Sequence, residues 1–230
     1  TLAALAQDGG PSFYRGALAR QILLEMGVLQ ESEPEFRGWR PSDLSAYAVL
    51  HRQPLCSEQF SHRICTMPSP SSGGLALLQT LALLNTSTDL ALSGSADPQT
   101  WQHLASAQTW ADADRLYWVH DPIDGDVPTA ALLDPSYIAS RAEEMQATPA
   151  AQPSPGLPPG IDHYPFGRAQ QGREQGTTQV TIVDGYGNIA SYTSSVETVF
   201  GSRHLVAGMV MNNQLTDFAF EPIIGGQAVA

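Results

Sequence analysis

The chain has 230 residues, 42% of them hydrophobic and 15% charged, so it can bury a core and is too apolar for a mainly disordered protein. Its 11 Lys+Arg against 23 Asp+Glu leave a net charge of -12, which repels a phosphate backbone and argues against nucleic acid as a partner. The longest apolar stretch, residues 74–84, is about half of the ~20 residues that cross a bilayer, so it predicts a buried helix and no membrane span.

The first part of the chain shows helical spacing of apolar residues up to about residue 27, with a break at Gly9, Gly10 and Pro11. This pattern predicts two helices joined by a turn. Further along, two short strands flank Phe60 and Ser61, and a reversal there would bring Cys56 and Cys65 opposite each other. Either a disulfide, which suits an oxidising compartment such as the periplasm, or two small buried thiols fits this spacing.

The middle of the chain changes from helical to irregular. Residues 97–117 predict a long amphipathic helix, and its candidate core positions are Trp101, Leu104, Ala105, Ala111 and Leu116. Between Gln146 and Gly176, six prolines are interleaved with Gly, Ala and Gln, and no periodicity remains. This composition predicts a loose connector that ends at Thr177.

The segment after the connector predicts a β-hairpin. Val180 and Ile182 alternate with polar residues, and the loop DGYGN at residues 184–188 has the Gly and Asn content of a tight turn. If Val183 pairs with Ile189, the same register places Ser195 opposite Thr177. A bulge in the turn would move Ser195 to the other face, and two facing hydroxyls are also common in ordinary strand pairs.

Thr177 would become a nucleophile if it began a chain. A threonine hydroxyl needs a base beside it, and the α-amino group of the same residue, with a pKa of roughly 7.7–8.0, can accept its proton. That amine exists only after the bond between Gly176 and Thr177 is cut. A connector ending in glycine suits self-cleavage, because Gly176 leaves room for a strained peptide.

Four segments resemble one known family. TTQVTIVDGYGNIASYTSSVETVFGSRHLVAGMVMNNQLTDF, which begins at Thr177, resembles the start of the small subunit of gamma-glutamyltranspeptidases. MPSPSSGG, WADADRLYWVHDP and GGPSFYRGALARQI are similar to motifs of the large subunit. The motifs are collinear from residue 1 to about residue 220, nearly the whole chain.

The resemblance implies an α/β (α+β) fold, part of the four-layer αββα sandwich of N-terminal nucleophile hydrolases. Helices are expected mainly before residue 146 and antiparallel strands after residue 176. Residues 1–145 would be the C-terminal part of the large subunit, 146–176 the connector ending at the cleavage site, and 177–230 the start of the small subunit. The parent protein would be a heterodimer of the two subunits after cleavage.

The resemblance also implies a chemistry. Thr177 would be the nucleophile, Thr178 its supporting neighbour and Ser195 the hydroxyl that orients it, with autocleavage between Gly176 and Thr177. The expected reaction is transfer or hydrolysis of a γ-glutamyl group from glutathione-type amides, through an acyl-enzyme, to water, an amino acid or a peptide. No cofactor is implied, and the six scattered histidines lack the spacing of a metal site.

Three residues are implied to bind the α-amino group of the substrate: Glu197, Gln214 and Asp217. Glu197 stands where many members have Asn, and Gln179 where most have His. A carboxylate would pair with an ammonium more strongly than an amide does, yet it would repel a dicarboxylate substrate. A cephalosporin-acylase-like amidohydrolase of the same family, and a non-catalytic homologue with a binding or structural role, therefore remain as alternatives.

The end of the chain raises a further expectation. Family members carry a Ser-Ser pair and a Pro-Gly-Gly oxyanion segment beyond this point, and neither occurs before the final GGQAVA. Losing an oxyanion donor costs ~10² to 10³ in rate. We expect this chain to be an inactive, unprocessed fragment of a periplasmic or secreted enzyme whose signal peptide lies outside it.

Overall fold

The computed structural model describes residues 1–32, 39–86, 94, 96–121, 125–147, 152–164, 166–169 and 176–229 of the chain. These residues fall into two compact units, each assembled from segments distant in sequence. Unit 1 comprises Thr1–Leu50 and Gly172–Phe218, and unit 2 comprises His51–Gln171 and Ala219–Ala230. Of the predicted connector 146–176, residues 148–151, 165 and 170–175 lie outside the described residues.

Helices precede the connector, and most strands follow it. The helices are α1 Leu2–Asp8, α2 Pro11–Arg15, α3 Ala17–Ser32, α4 Pro41–Ser45, α5 Gly73–Thr86, α6 Pro98–Trp118, α7 Thr129–Leu132 and α8 Pro135–Ala147. The strands are β1 Leu55–Gln59, β2 His62–Thr66, β3 Thr177–Val183, β4 Ile189–Ser195, β5 Leu205–Val206, β6 Met209–Val210, β7 Ile223–Ile224 and β8 Gln227–Ala228. The predicted mixture of helices before residue 146 and antiparallel strands after 176 is confirmed.

The strands in the described part of the chain form four two-stranded antiparallel sheets. Helix α3 supplies the core of unit 1, because Leu18, Ile22 and Met26 recur every four residues and are buried against Val206. The predicted break at residues 9–11 is confirmed, since α1 ends at Asp8 and α2 begins at Pro11. A second break at Gly16 divides the expected second helix into α2 and α3.

The two cysteines lie opposite each other on the hairpin of β1 and β2. Phe60 and Ser61 form its turn with φ of 52° and 62°, which is typical of a tight hairpin turn. Cys56 pairs with Cys65 across the strands, and the two are joined by a disulfide. Of the two interpretations left open by the sequence, the disulfide is the one observed.

The core of unit 2 forms where α5 packs against α6 and α8. The prediction that residues 74–84 form a buried helix is confirmed by α5. Helix α6 begins at Pro98, and the Asp97 side chain caps it by accepting a hydrogen bond from the amide of Gln99 at 2.9 Å. None of the described helices is long and apolar enough to cross a membrane.

The core positions predicted for α6 are partly wrong. Ala111 and Leu116 are buried, whereas Trp101 is 56% exposed and Ala105 is also exposed. The buried stripe instead includes a carboxylate, Asp114, and a count of apolar residues assigns such a residue to the solvent face.

The Asp114 carboxylate fastens α6 to its surroundings with four hydrogen bonds. Oδ1 accepts from Arg141 Nη2 at 3.0 Å and from the Gly156 amide at 2.9 Å. Oδ2 accepts from the Tyr137 hydroxyl at 2.8 Å and from Gln79 Nε2 at 3.2 Å. Burial raises the pKa of Asp114, and the Arg141 charge and the donors oppose that rise. The connector, which the sequence predicted to be loose, is therefore anchored at Gly156.

Candidate active site

Strands β3 and β4 bring the predicted nucleophile to its hydroxyl partner. Val183 pairs with Ile189, and the unbroken register continues to Thr177 opposite Ser195. The Thr177 hydroxyl donates to Ser195 Oγ at 3.2 Å. The register predicted from the turn is confirmed, and no bulge interrupts it.

The Ser195 hydroxyl is the centre of a three-way network. It accepts hydrogen bonds from Thr177 Oγ1 at 3.2 Å and from the Glu197 amide at 2.9 Å. It donates its own proton to the Gly176 carbonyl oxygen at 3.0 Å. A serine hydroxyl offers one proton and two lone pairs, so this network uses its whole capacity. The Gly176 carbonyl, which precedes the predicted cleavage site, is thereby polarised by the residue that faces Thr177.

The loop that follows β4 turns sharply instead of continuing the strand. Glu197 has a φ of 74°, in the left-handed region. Gly201 has a φ of 52°, and a Cβ there would lie 2.1 Å from the Met211 carbonyl oxygen, so only glycine fits. Asn213 holds the loop through Oδ1, which accepts from the Thr198 amide at 3.1 Å.

This folded loop places three polar side chains in contact. Gln214 Nε2 donates to Glu197 Oε2 at 3.2 Å and to Asp217 Oδ2 at 3.1 Å. Glu197 and Gln214 are half-buried, and Asp217 is exposed. One amide thus joins two carboxylates, a cluster whose oxygens and charge suit an ammonium group. Glu197 belongs to both networks, through its amide at Ser195 and its carboxylate at Gln214.

The remaining predicted residue and the atypical Gln179 lie on the same hairpin. Thr178 pairs with Ser194, so strand alternation directs its side chain to the face opposite Thr177. Gln179 Nε2 donates to Ser191 Oγ at 2.7 Å, and its Oε1 accepts from the Thr193 hydroxyl. Gln179 therefore joins the hydroxyl ladder of the Thr177 face.

Sequence reasoning missed two groups that shape this site, the Glu197 amide and the Asn213 side chain. The Glu197 amide was missed because strand alternation predicts only which face a side chain occupies. No residue pattern predicted the left-handed backbone at residue 197. Asn213 lies inside the matched NNQLTDF segment, and that segment was the available signal. Among the described residues, no group of three His, Cys, Asp or Glu side chains lies close enough to hold a metal ion.

Comparisons with known proteins give one family model and several similar proteins. The family model for Gamma-glutamyltranspeptidase matches residues 1–227. The glutathione hydrolase proenzyme of Escherichia coli K12 is 31% identical, over 100% of this chain and 39% of the relative. The Acylase ACY 1 proenzyme of Pseudomonas sp. strain V22 is 28% identical, over 96% of this chain and 37% of the relative.

A solved structure shares the fold. The crystal structure of cephalosporin acylase from Bacillus halodurans matches with a TM-score of 0.75 at 24% identity, and the match covers 99% of this chain and 38% of that one. The present chain thus spans about two fifths of the length of these relatives. Because the family model reaches from residue 1 to residue 227 and a relative 31% identical matches the entire chain, the chain belongs to the gamma-glutamyltranspeptidase family.

Proposed function

We propose that the full-length protein cuts itself between Gly176 and Thr177 and then uses Thr177 to hydrolyse or transfer γ-glutamyl groups. The observation that carries this proposal is the Ser195 network, which joins the Thr177 hydroxyl to the Gly176 carbonyl oxygen through one serine. The E. coli and Pseudomonas relatives are both named as proenzymes, which supports a precursor that matures.

The directions of the hydrogen bonds support one route to self-cleavage. Thr177 Oγ1 attacks the Gly176 carbonyl carbon, its proton passes to Ser195 Oγ, and the Ser195 proton passes to the carbonyl oxygen. The tetrahedral intermediate then breaks its C–N bond, and its hydroxyl proton moves to the departing nitrogen. Water hydrolyses the resulting ester, which leaves a carboxylate on Gly176 and a free amine and hydroxyl on Thr177.

The same hydroxyl then serves the substrate. The new amine accepts the Thr177 hydroxyl proton, and Oγ1 attacks the γ-carbonyl of a glutamyl amide. The leaving amine takes a proton, and a γ-glutamyl ester of Thr177 remains. Water or an amino acceptor resolves this ester, so hydrolysis and transfer share one intermediate.

Substrate binding would rest on the cluster of Glu197, Gln214 and Asp217. The α-ammonium of a γ-glutamyl group can donate hydrogen bonds to both carboxylates, in place of the Gln214 amide hydrogens that now bridge them. Charge-assisted hydrogen bonds are the stronger kind, so the ammonium is expected to contribute much of the recognition. Glutathione is the donor that the E. coli relative's name suggests.

A second candidate is an acylase that acts on amides other than γ-glutamyl ones. It is favoured by the second carboxylate, Glu197, because the two negative charges of the cluster repel the α-carboxylate of a glutamyl donor. The acylase named for the Pseudomonas relative supports the same possibility. A butanoyl amide lacks both the α-amino group and the α-carboxylate and therefore separates the two candidates.

The experiment uses the full-length polypeptide, wild type and Thr177→Ala, on denaturing gels over time. We expect the wild type to split into two chains, the smaller beginning at Thr177, and the variant to remain whole. A chromogenic γ-glutamyl amide should be cleaved at least about ten times faster than the matching butanoyl amide, because hydrogen bonds to charged groups contribute ~1.5–3 kcal/mol.

Thr181→Ala is the matched control, since Thr181 lies on the same strand and face but contacts Ser191 at 3.5 Å. It should split as the wild type does. Faster cleavage of the butanoyl amide would favour the acylase. A wild type that stays whole and inactive would favour a non-catalytic homologue, and splitting of Thr177→Ala at the same bond would overturn the nucleophile.

A further inference from the structure

The main chain at Glu197 carries a role separate from its carboxylate. We propose that the left-handed backbone of Glu197 directs the Ser195 proton towards the Gly176 carbonyl, which makes Glu197 a positioning residue for self-cleavage. The inference rests on the proposed self-cleavage and adds a backbone determinant to it.

The hydrogen bonds of Ser195 explain the need for such a device. A serine hydroxyl rotates freely unless its lone pairs are occupied. Thr177 Oγ1 occupies one lone pair and the Glu197 amide the other, so the single proton is left facing the Gly176 oxygen. Removal of the amide would let the hydroxyl turn away from the carbonyl that must be polarised.

The orientation of that amide depends on the left-handed φ of Glu197 and on hydrogen bonds to Asn213. The Val196 carbonyl oxygen accepts from the Asn213 amide at 3.4 Å, and the Thr198 amide donates to Asn213 Oδ1 at 3.1 Å. Asn213 therefore holds the chain on both sides of Glu197. The Val196 carbonyl belongs to the same peptide as the Glu197 amide, so a flip of that peptide plane would break the hydrogen bond to the Asn213 amide as well as the one to Ser195.

The two orientations of this peptide have opposite effects on Ser195. The observed one has φ of 74° at Glu197 and presents an N–H to Ser195 Oγ. The flipped one would give Glu197 an ordinary negative φ and turn the Val196 carbonyl oxygen towards the serine. Type I and type II β-turns differ by the same kind of peptide flip. That oxygen would compete with Gly176 for the Ser195 proton. Non-glycine residues disfavour the left-handed region, so the side chain at 197 shifts this balance.

A second contact links Glu197 to the scissile residue. A Cβ added to Gly176 would lie 3.3 Å from the Glu197 carbonyl oxygen, which is closer than side chains normally approach. The amide of Glu197 thus contacts Ser195, and its carbonyl oxygen lies close to Gly176, on one side of the bond that would be cut.

The test compares variants at residue 197 in the full-length polypeptide, with the rate of self-cleavage followed by mass spectrometry. Glu197→Val and Glu197→Gly both remove the carboxylate, but only glycine adopts the left-handed backbone freely. We expect the valine variant to cleave at least about ten times more slowly than the glycine variant, because β-branched residues are true outliers at positive φ. Glu197→Asn, which tolerates this region, should also cleave faster than valine.

Arg203→Val is the matched control, because Arg203 has φ of 65° and makes none of the Ser195 contacts. It should lose thermal stability as Glu197→Val does while cleaving at the wild-type rate. If the valine variant does not fold, Glu197→Ala replaces it in the comparison, and we expect it to cleave more slowly than Glu197→Gly. Equal rates for valine and glycine, with Thr177→Ala uncut, would overturn this inference alone, whereas a cut Thr177→Ala would overturn the proposed function.

Discussion

At the scale of single residues, Asp114 is the most constrained side chain of unit 2. It is 2% exposed and meets an equally buried guanidinium, that of Arg141. Arg141 Nη2 also donates to the Ser154 carbonyl at 2.9 Å, and the Trp118 indole donates to the Gly156 carbonyl at 3.0 Å. The pair therefore ties the described part of the connector to the helices, and its loss would release more than one contact.

Asp114→Asn should destabilise the chain strongly, because the Arg141 charge would lose its buried anion and keep only the solvent-exposed Glu144. Breaking a buried pair from one side costs ~3–5 kcal/mol, and we expect a loss of this size in urea unfolding of the 230-residue chain. Glu144→Gln is the matched control: Glu144 also contacts Arg141, at 2.7 Å, but its side chain is 53% exposed. The control should change stability by less than about 1 kcal/mol, and equal losses for both variants would contradict this account.

At the scale of elements, the hairpin of β3 and β4 was the most predictable part of the chain. Its register follows from strand alternation and from a turn without a bulge, which together place Ser195 opposite Thr177. The turn of Glu197 was not predictable, because its φ of 74° depends on Asn213, which lies sixteen residues further along. Asp114 was missed for a related reason: its partners come from α5, α8 and the connector, and periodicity within α6 reveals none of them.

The turn of this hairpin should loosen in acid. Hydrogen bonds from the Asn188 side chain and backbone, with smaller contributions from the Tyr186 and Gly187 amides, lower the pKa of Asp184 below its ordinary value. A lowered carboxyl pKa gives stability that is present above about pH 4, the unfolded value, and is lost as pH falls through the lowered pKa. The Tyr186 and Asn188 amides, followed by NMR and corrected for their intrinsic exchange rates, should therefore lose protection from exchange as the pH falls below about 4.

Asp184→Asn provides the control for the turn. Its amide oxygen can still accept from the two backbone amides, but it does not titrate, so its exchange rates should lose this acid dependence after correction for intrinsic exchange. The same acid response in the variant would show that another group controls the turn.

At the scale of the whole molecule, the two units join segments that sequence reading keeps apart. The Leu18 and Ile22 side chains of α3 pack with Val206, which lies after the hairpin. The Ala207 amide donates to Glu25 at 2.5 Å, so the N-terminal helices and the segment after β4 form one unit. Local sequence patterns predict where helices and strands lie, but they do not predict which distant element packs against which face of a helix or strand. The division into residues 1–145, 146–176 and 177–230 concerns the subunits of the parent and stays a prediction.

The exposed apolar surface of unit 1 predicts self-association of the 230-residue chain when it is prepared alone. Both faces of the hairpin expose apolar side chains, including Val180, Ile182, Val183, Ile189 and Tyr192. In the described part, β3 and β4 pair only with each other, so their outer edges can template further strands. Sedimentation velocity at rising concentration should show dimers or larger species.

The matched variant for this prediction is Ile182→Lys with Tyr192→Lys. The two residues share the hairpin face opposite Thr177, because Val180 pairs with Tyr192 and Ile182 with Ala190. Charged side chains there should shift the chain towards monomer, as they do at natural strand edges. The double variant leaves the Ser195 network in place, so a full-length polypeptide carrying it would still contain the residues that we propose for self-cleavage. A wild-type chain that sediments as a single monomeric species at every concentration would contradict the prediction, because the hairpin would then tolerate water on both faces.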